Sequence, residues 1–255
     1  MKTCSVIIPA YNQLALLQQA LQSVLQQEGV AFEVIITDDS TGNDIETYIH
    51  ALDDNRIHYY RHSQGQSAAD NWNHGLSQAS GDYIILMHHD EAMADTNYLN
   101  RICQRMAEGY DIIVSQVRVK IDGKLREKHF PAWLKRYVLR HPVCLFLFNV
   151  IGPCACLAFR RELQQPFDPR LRWFVDVDWY YRQLKEQEKV CYDDSLWIES
   201  THGHEGQITQ RIDIMKASLD DKVVLHQKYV KRSVRCMLWL YQNLILRTKK
   251  YLGKI

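Results

Sequence analysis

Residues Tyr83–Glu91 read YIILMHHDE, and residues Ser5–Gln13 read SVIIPAYNQ. Each stretch opens as a short, unbroken apolar run and then turns abruptly polar. A run of this length without alternation is the mark of a strand buried on both faces. Pro9 ends the first run, and His88–His89–Asp90–Glu91 ends the second.

Working outward from these two, Phe32–Thr37 is a second buried strand that stops at Asp38–Asp39, and Ile57–Arg61 is a third. Between them, Leu14, Leu17, Leu21, Val24 and Leu25 recur at helical spacing after Asn12, a cap residue, and before Gly29. Ala68–Ala79 reads as a helix closed by Gly81. Strands alternating with helices predict an α/β fold with a mainly parallel sheet covered on both faces. Ligands in such sheets bind beyond the carboxyl ends of the strands, and here Tyr11, Asp38, Asp39, His88 and Asp90 follow buried strands directly. The second half is less regular. Asp111–Val119 and Leu157–Arg160 read as strands, Asp122–Gly123 as a turn, Pro131–Phe148 as partly helical, and Asp176–Lys185 as a helix.

Of the 255 residues, 46% are hydrophobic and 24% charged, and the formal charge is +1. That balance excludes a chain that binds nucleic acid by bulk electrostatics. It hides an asymmetry, because nine of the 31 basic residues lie in Lys222–Ile255, which has no Asp or Glu. The other 22 accompany 30 acidic residues. The expected division is therefore a domain over residues 1–221 and a basic, amphipathic helical tail over 222–255. Seven cysteines without a CxxC pair read as buried, reduced thiols. The chain opens directly into a strand, and its longest apolar stretch, Val143–Phe159, is broken by Asn149, Gly152 and Pro153. A cytoplasmic protein is expected.

Six segments in order resemble the GT-A fold glycosyltransferases, particularly the inverting family 2. They are SVIIPAYNQ, FEVIITDDST, NWNHGLSQASGDYIILMHHDE, GPCACLAFRRE, FVDVDWYYRQL and HGHEGQIT, spread over Ser5–Thr209. The resemblance implies a Rossmann-like fold and a hexosyltransferase-type enzyme. Such an enzyme moves a sugar from a nucleoside-diphosphate donor to a glycan or lipid-linked acceptor. It also implies a divalent cation, Mn²⁺ or Mg²⁺, which neutralises the leaving diphosphate as a Lewis acid.

Carried over residue by residue, Asp90 is the last carboxylate of the family's DxD and a metal ligand. His88 stands where the first is usual. Imidazole suits Mn²⁺ better than Mg²⁺, or His88 meets sugar or phosphate, or His88 and His89 are hydrogen-bonded loop residues. His204 matches a late histidine near the metal, with a solvated loop residue as the alternative. Pro9, Ala10, Tyr11, Asp38, Asp39 and Asn73 are implied to line the nucleotide site. Asp38 reads equally as the cap of the following segment, and Asn73 as the cap of a turn. Asp176 is implied to be the base that takes the acceptor's proton, with a helix-capping role as the alternative. Asp178 would support it or cap its helix, and Gly152 would lie on the acceptor side.

In the tail, Val230, Val234, Met237, Leu238, Tyr241, Leu244, Ile245 and Leu252 share one stripe. Two readings stand, a helix on anionic lipid at the inner face of a membrane and a helix packed on its own domain or in a homodimer. Two rival functions are a nucleotidyltransferase, whose Gly-rich phosphate loop PAYNQLALL lacks, and a sugar-nucleotide-binding protein without catalysis.

Overall fold

The computed structural model describes residues 3–62, 67–121, 124–127, 130–203 and 212–251. The apolar runs form β1 (Thr3–Ala10), β2 (Ala31–Asp38) and β4 (Tyr83–Leu86), and β3 (Ile57–Arg61) lies outside β2. Their order, β3-β2-β1-β4, is parallel throughout. Helices α1 (Leu14–Leu25), α2 (Asp44–Leu52) and α3 (Ala68–Gln78) cross between them. Ile7, Ile8, Ile35, Ile36, Ile84 and Ile85 are buried. Each such side chain removed from water contributes roughly 1.5–3 kcal/mol.

The sheet continues through β8 (Leu157–Arg160), antiparallel to β4, then β6 (Ile112–Ile121) and β9 (Val190–Thr201), which are parallel to each other. The three-residue β5 (Glu91–Met93) edges β9, and β7 (Lys124–Glu127) pairs with the far end of β6. Helix α4 (Tyr98–Ala107) precedes β6, α5 (Ala132–Arg140) follows β7, and α6 (Val175–Leu184) follows β8. The parallel order thus extends into a mixed half, because β8 reverses direction between β4 and β6. Gly75 lets α3 close onto the sheet, since a methyl group there would overlap Ile7.

Two of the expected boundaries change. Asn12 does not cap α1. It takes a left-handed conformation with φ of 53°, and its Oδ1 accepts a hydrogen bond from the Thr41 N–H at 2.9 Å. The division at residue 222 falls inside α7 (Ile214–Lys228). The chain then turns into α8 (Arg232–Leu240), which passes through a π-helical stretch (Tyr241–Leu246) into α9 (Arg247–Tyr251). Val234, Leu238, Tyr241 and Leu246 are buried in the main core. The tail is therefore packed on its own domain, although Val230 and Leu244 of the expected stripe are exposed. Leu252 and the Asp122–Gly123 turn lie outside the described residues. None of the seven cysteines forms a disulfide; Cys4, Cys154 and Cys156 are buried, whereas Cys103, Cys144 and Cys191 are part-buried and Cys236 is exposed.

Candidate active site

At the carboxyl end of β4 the chain makes a tight turn, with the Glu91 N–H donating to the His88 carbonyl at 3.0 Å. The turn is clamped from the other side, where the Thr201 N–H donates to the Asp90 carbonyl at 2.8 Å. Glu91 is buried, and its carboxylate accepts from the His88 backbone N–H at 2.9 Å and lies 3.0 Å from His88 Nδ1. An ionised carboxylate only accepts, so opposite ionised Glu91 the hydrogen sits on Nδ1. Nε2 is left buried with no hydrogen-bond partner among the described residues. The Trp72 ring packs on the imidazole, centroids 4.8 Å apart.

Burial alone would lower the His88 pKa, but the charges of Glu91, Asp90 and Asp176 outweigh it and hold it above its ordinary value. Burial likewise raises the Glu91 pKa, against the pull of His88. His89 turns away, its Nδ1 3.2 Å from the Pro9 carbonyl, which ties the end of β4 to the end of β1.

Ligand atoms of His88, Asp90 and Glu91 lie within 4.8 Å of one another. One imidazole nitrogen and carboxylate oxygens are a donor set suited to Mn²⁺, and the orphaned Nε2 is the group such an ion would satisfy. A carboxylate behind a histidine is the usual outer-shell arrangement. The residues present therefore fit a divalent cation.

Asp176 stands in the first turn of α6. Its Oδ1 accepts from the Val177 N–H at 2.8 Å, and its Oδ2 from Asn149 Nδ2 at 2.9 Å. The same asparagine amide accepts from the N–H groups of Ile151 and Gly152 and donates to the Gly152 carbonyl. The Tyr180 hydroxyl donates to that carbonyl too, at 3.1 Å. Gly152 holds φ of 102°, the left-handed region that favours glycine. A Cβ there would press on Val117 at 3.1 Å. Gly152 thus shapes the loop that holds Asp176.

Residues two apart on a helix face nearly opposite ways, and Asp178 is accordingly remote in role from Asp176. It is wholly buried, accepting from Arg182 Nε at 2.9 Å, Lys228 Nζ at 2.8 Å and the Tyr229 hydroxyl at 2.7 Å. It neither supports Asp176 nor caps the helix; it anchors the end of α7. The loop that leads into the helix is held from afar. The buried Asp221 carboxylate accepts from the N–H groups of Arg172, Trp173 and Phe174, at 2.7 Å for the closest.

At the nucleoside end, Asp39 is partly exposed, with His62 Nδ1 3.5 Å from its Oδ1. Tyr11 is exposed where the chain leaves β1 after Pro9 and Ala10, and the Ala10 carbonyl accepts the Asp39 N–H at 3.1 Å. Asp38 is different. Its carboxylate is wholly buried and accepts from the Ser40 N–H, the Tyr59 hydroxyl and Arg61. The capping alternative therefore holds for Asp38, which braces the loop from beneath. Asn73 is corrected as well, since its amide pairs on both sides with the Phe167 backbone, at 2.7 and 3.0 Å. His204 lies outside the described residues. Glu91, Asn149 and Asp221 escaped the sequence reading. Only Glu91, the next carboxylate after HHD, carried a local signal.

The family model of glycosyl transferase family 2 matches residues 5–165, and the chain belongs to that family. It is 30% identical over 133 residues to the GalNAc(5)-diNAcBac-PP-undecaprenol beta-1,3-glucosyltransferase of Campylobacter jejuni, covering 50% of this chain and 42% of that protein. An uncharacterized glycosyltransferase of Rickettsia typhi is 26% identical over 215 residues, which is 80% of this chain and 65% of that one. The chain thus spans less than two thirds of either relative.

Among solved structures, Staphylococcus aureus TarS 1-349 in complex with UDP-GlcNAc superposes with a TM-score of 0.73 at 16% identity. The match covers 100% of this chain and 76% of that one. A mannosyltransferase from Pyrobaculum calidifontis in complex with GDP-Man and Mn²⁺ gives 0.69 at 14% identity, covering 98% and 72%. The fold is that of the GT-A glycosyltransferases.

Proposed function

We propose that this chain transfers a sugar from a nucleoside-diphosphate donor to an acceptor hydroxyl, by a single displacement with inversion. One observation carries the reading. At the carboxyl end of β4, ligand atoms of His88, Asp90 and Glu91 lie within 4.8 Å of one another, and the buried His88 Nε2 has no hydrogen-bond partner among the described residues. Asp90 and His88 Nε2 would hold a divalent cation, and the cation supplies the positive charge that lets a nucleoside diphosphate leave. Tyr11 and Asp39 bind the nucleoside, Tyr11 against the base and Asp39 accepting from base or ribose hydroxyls. Asn149 aims Asp176, which takes the proton from the acceptor hydroxyl as it attacks the anomeric carbon.

The relatives support the same reading: the two solved structures are complexes with UDP-GlcNAc and with GDP-Man, and the Campylobacter relative is a glucosyltransferase of a PP-undecaprenol-linked glycan. For this chain we infer the same classes, a nucleotide sugar and a glycan or lipid-linked acceptor. The test is thermal-shift screening against UDP, GDP, CDP and dTDP with and without Mn²⁺, followed by assay of sugar release from the matching donor. A ligand that binds only the folded state raises its apparent stability. Stabilisation by none of the four, or a bound donor that never yields free or transferred sugar, overturns the reading.

A further inference from the structure

Two stretches of this chain hold no carboxylate. There is none between Glu127 and Glu162, and none after Asp221. Six of the 31 basic residues lie in the first stretch and nine in the second, so nearly half the cations fall in runs of sequence that hold no acidic residue. The fold brings the two stretches together, because α5 and α8 both pack on the turn Pro142–Phe146.

Each helix is fixed by what it buries. On α5, Val138 and Leu139 point inward together with Lys135, whose Nζ donates to Gln116 Oε1 at 2.8 Å. That anchoring leaves Trp133, Arg136, Tyr137 and Arg140, spaced at three, four and seven residues, on the outer face. Trp133 is 69% exposed and Tyr137 54%. On α8, Val234 and Leu238 are buried while Arg232, Arg235 and Trp239 face out. Among the described residues, none of Arg136, Arg140, Arg232 and Arg235 makes an ion pair.

We propose that the outer faces of α5 and α8 form one docking surface for an anionic lipid bilayer. Arginines interleaved with tryptophan and tyrosine are the chemistry of the membrane–water interface: the cations meet lipid phosphates and the rings sit among the headgroups. A second copy of the chain fits less well, because a two-fold contact through this surface would set cation against cation. The surface leads towards the active site. Phe148, exposed beyond the turn, precedes Asn149, which holds Asp176. This last link rests on the transferase reading, and gives a lipid-linked acceptor a route to the base without leaving the membrane.

The experiment is co-sedimentation of the full chain with vesicles of phosphatidylglycerol or of phosphatidylcholine, at low and high salt. Binding to the anionic vesicles alone, released by salt, is expected. The double variant Arg136→Gln/Arg140→Gln should weaken it roughly 30-fold, at about 1 kcal/mol for each basic residue near the surface. Trp133→Ala/Tyr137→Ala should weaken it as well. All four positions are exposed, so melting temperature and nucleotide affinity should stay as they are. Equal binding to both lipids, no binding, or α5 variants that bind like the parent would overturn the proposal. So would a dimer in sedimentation velocity that these variants dissociate. Vesicle binding without donor affinity would leave the surface standing and remove the transferase reading; donor affinity without vesicle binding would do the reverse.

Discussion

Nδ1 of His88 lies 3.0 Å from Oε1 of Glu91, and the Glu91 side chain is almost completely buried. This contact occupies Nδ1 and leaves Nε2 as the ring nitrogen open to a cation. Glu91→Gln keeps the shape but removes the acceptor-only character that fixes the tautomer. Outer-shell partners of metal-binding histidines are typically worth 10- to 100-fold in metal affinity. The variant should lose about tenfold or more in Mn²⁺ affinity, read by electron paramagnetic resonance. Nucleotide affinity without metal should not change. Unaltered Mn²⁺ binding would mean that His88 serves sugar or phosphate.

The Asp176 carboxylate is held by one amide side chain and one backbone N–H. Asp176→Asn should lower kcat about 10²- to 10⁴-fold, the usual range for a general base, with donor affinity nearly unchanged. Asn149→Ala should lower kcat by less, because the carboxylate remains but is no longer aimed. A product that retains the donor's anomeric configuration would exclude the base role whatever the variants do.

Asp178 and Asp176 are separated by one residue and should behave as opposites. Asp178→Ala removes the carboxylate partner of Arg182 and leaves Lys228 with Asp168 alone. Breaking such a buried network should destabilise the fold by about 3 kcal/mol, measured by urea denaturation. Asp176→Asn should leave the midpoint where it was. Loss of activity without loss of stability in Asp178→Asn would move the base role along the helix.

Asp168 predicts the acid limb of stability. Hydrogen bonds from Arg170 first, and then Lys228, hold its carboxyl well below the usual range despite its burial. A depressed folded pKa contributes stability that is complete above the unfolded value of about 4 and is lost as pH falls through the folded one. Urea midpoints should therefore decline from about pH 4 downward. Asp168→Asn should flatten that limb and lower the midpoint at neutral pH. An unchanged acid slope in the variant would place the loss on other carboxylates.

The parallel half of the sheet was legible because a strand buried on both faces writes its burial as an unbroken apolar run. Val6–Ile8, Val34–Ile36 and Ile84–Leu86 could be read that way, and the polar groups at their ends marked the site. β9 was not legible, since Asp193 and Asp194 interrupt it, and β5 has only three residues. Asn149 and Asp221 were hidden for another reason. Each acts on backbone or carboxylate far along the chain, and nothing beside it in sequence names the partner. Asp38 and Asn73 were over-read, because a polar residue after a strand can brace the loop from beneath as well as face a ligand.

The anchoring of α6 has a consequence for how the protein is made. Asp221 holds the N–H groups that precede Asp176, Lys228 and Tyr229 hold Asp178, and the Tyr241 hydroxyl accepts from the Trp173 indole. All of these emerge from the ribosome after the helix they secure. Chain growth therefore delivers β1 to β4 with Tyr11, Asp39 and His88 first, and secures the Asp176 helix only once residues through Tyr241 are free to fold.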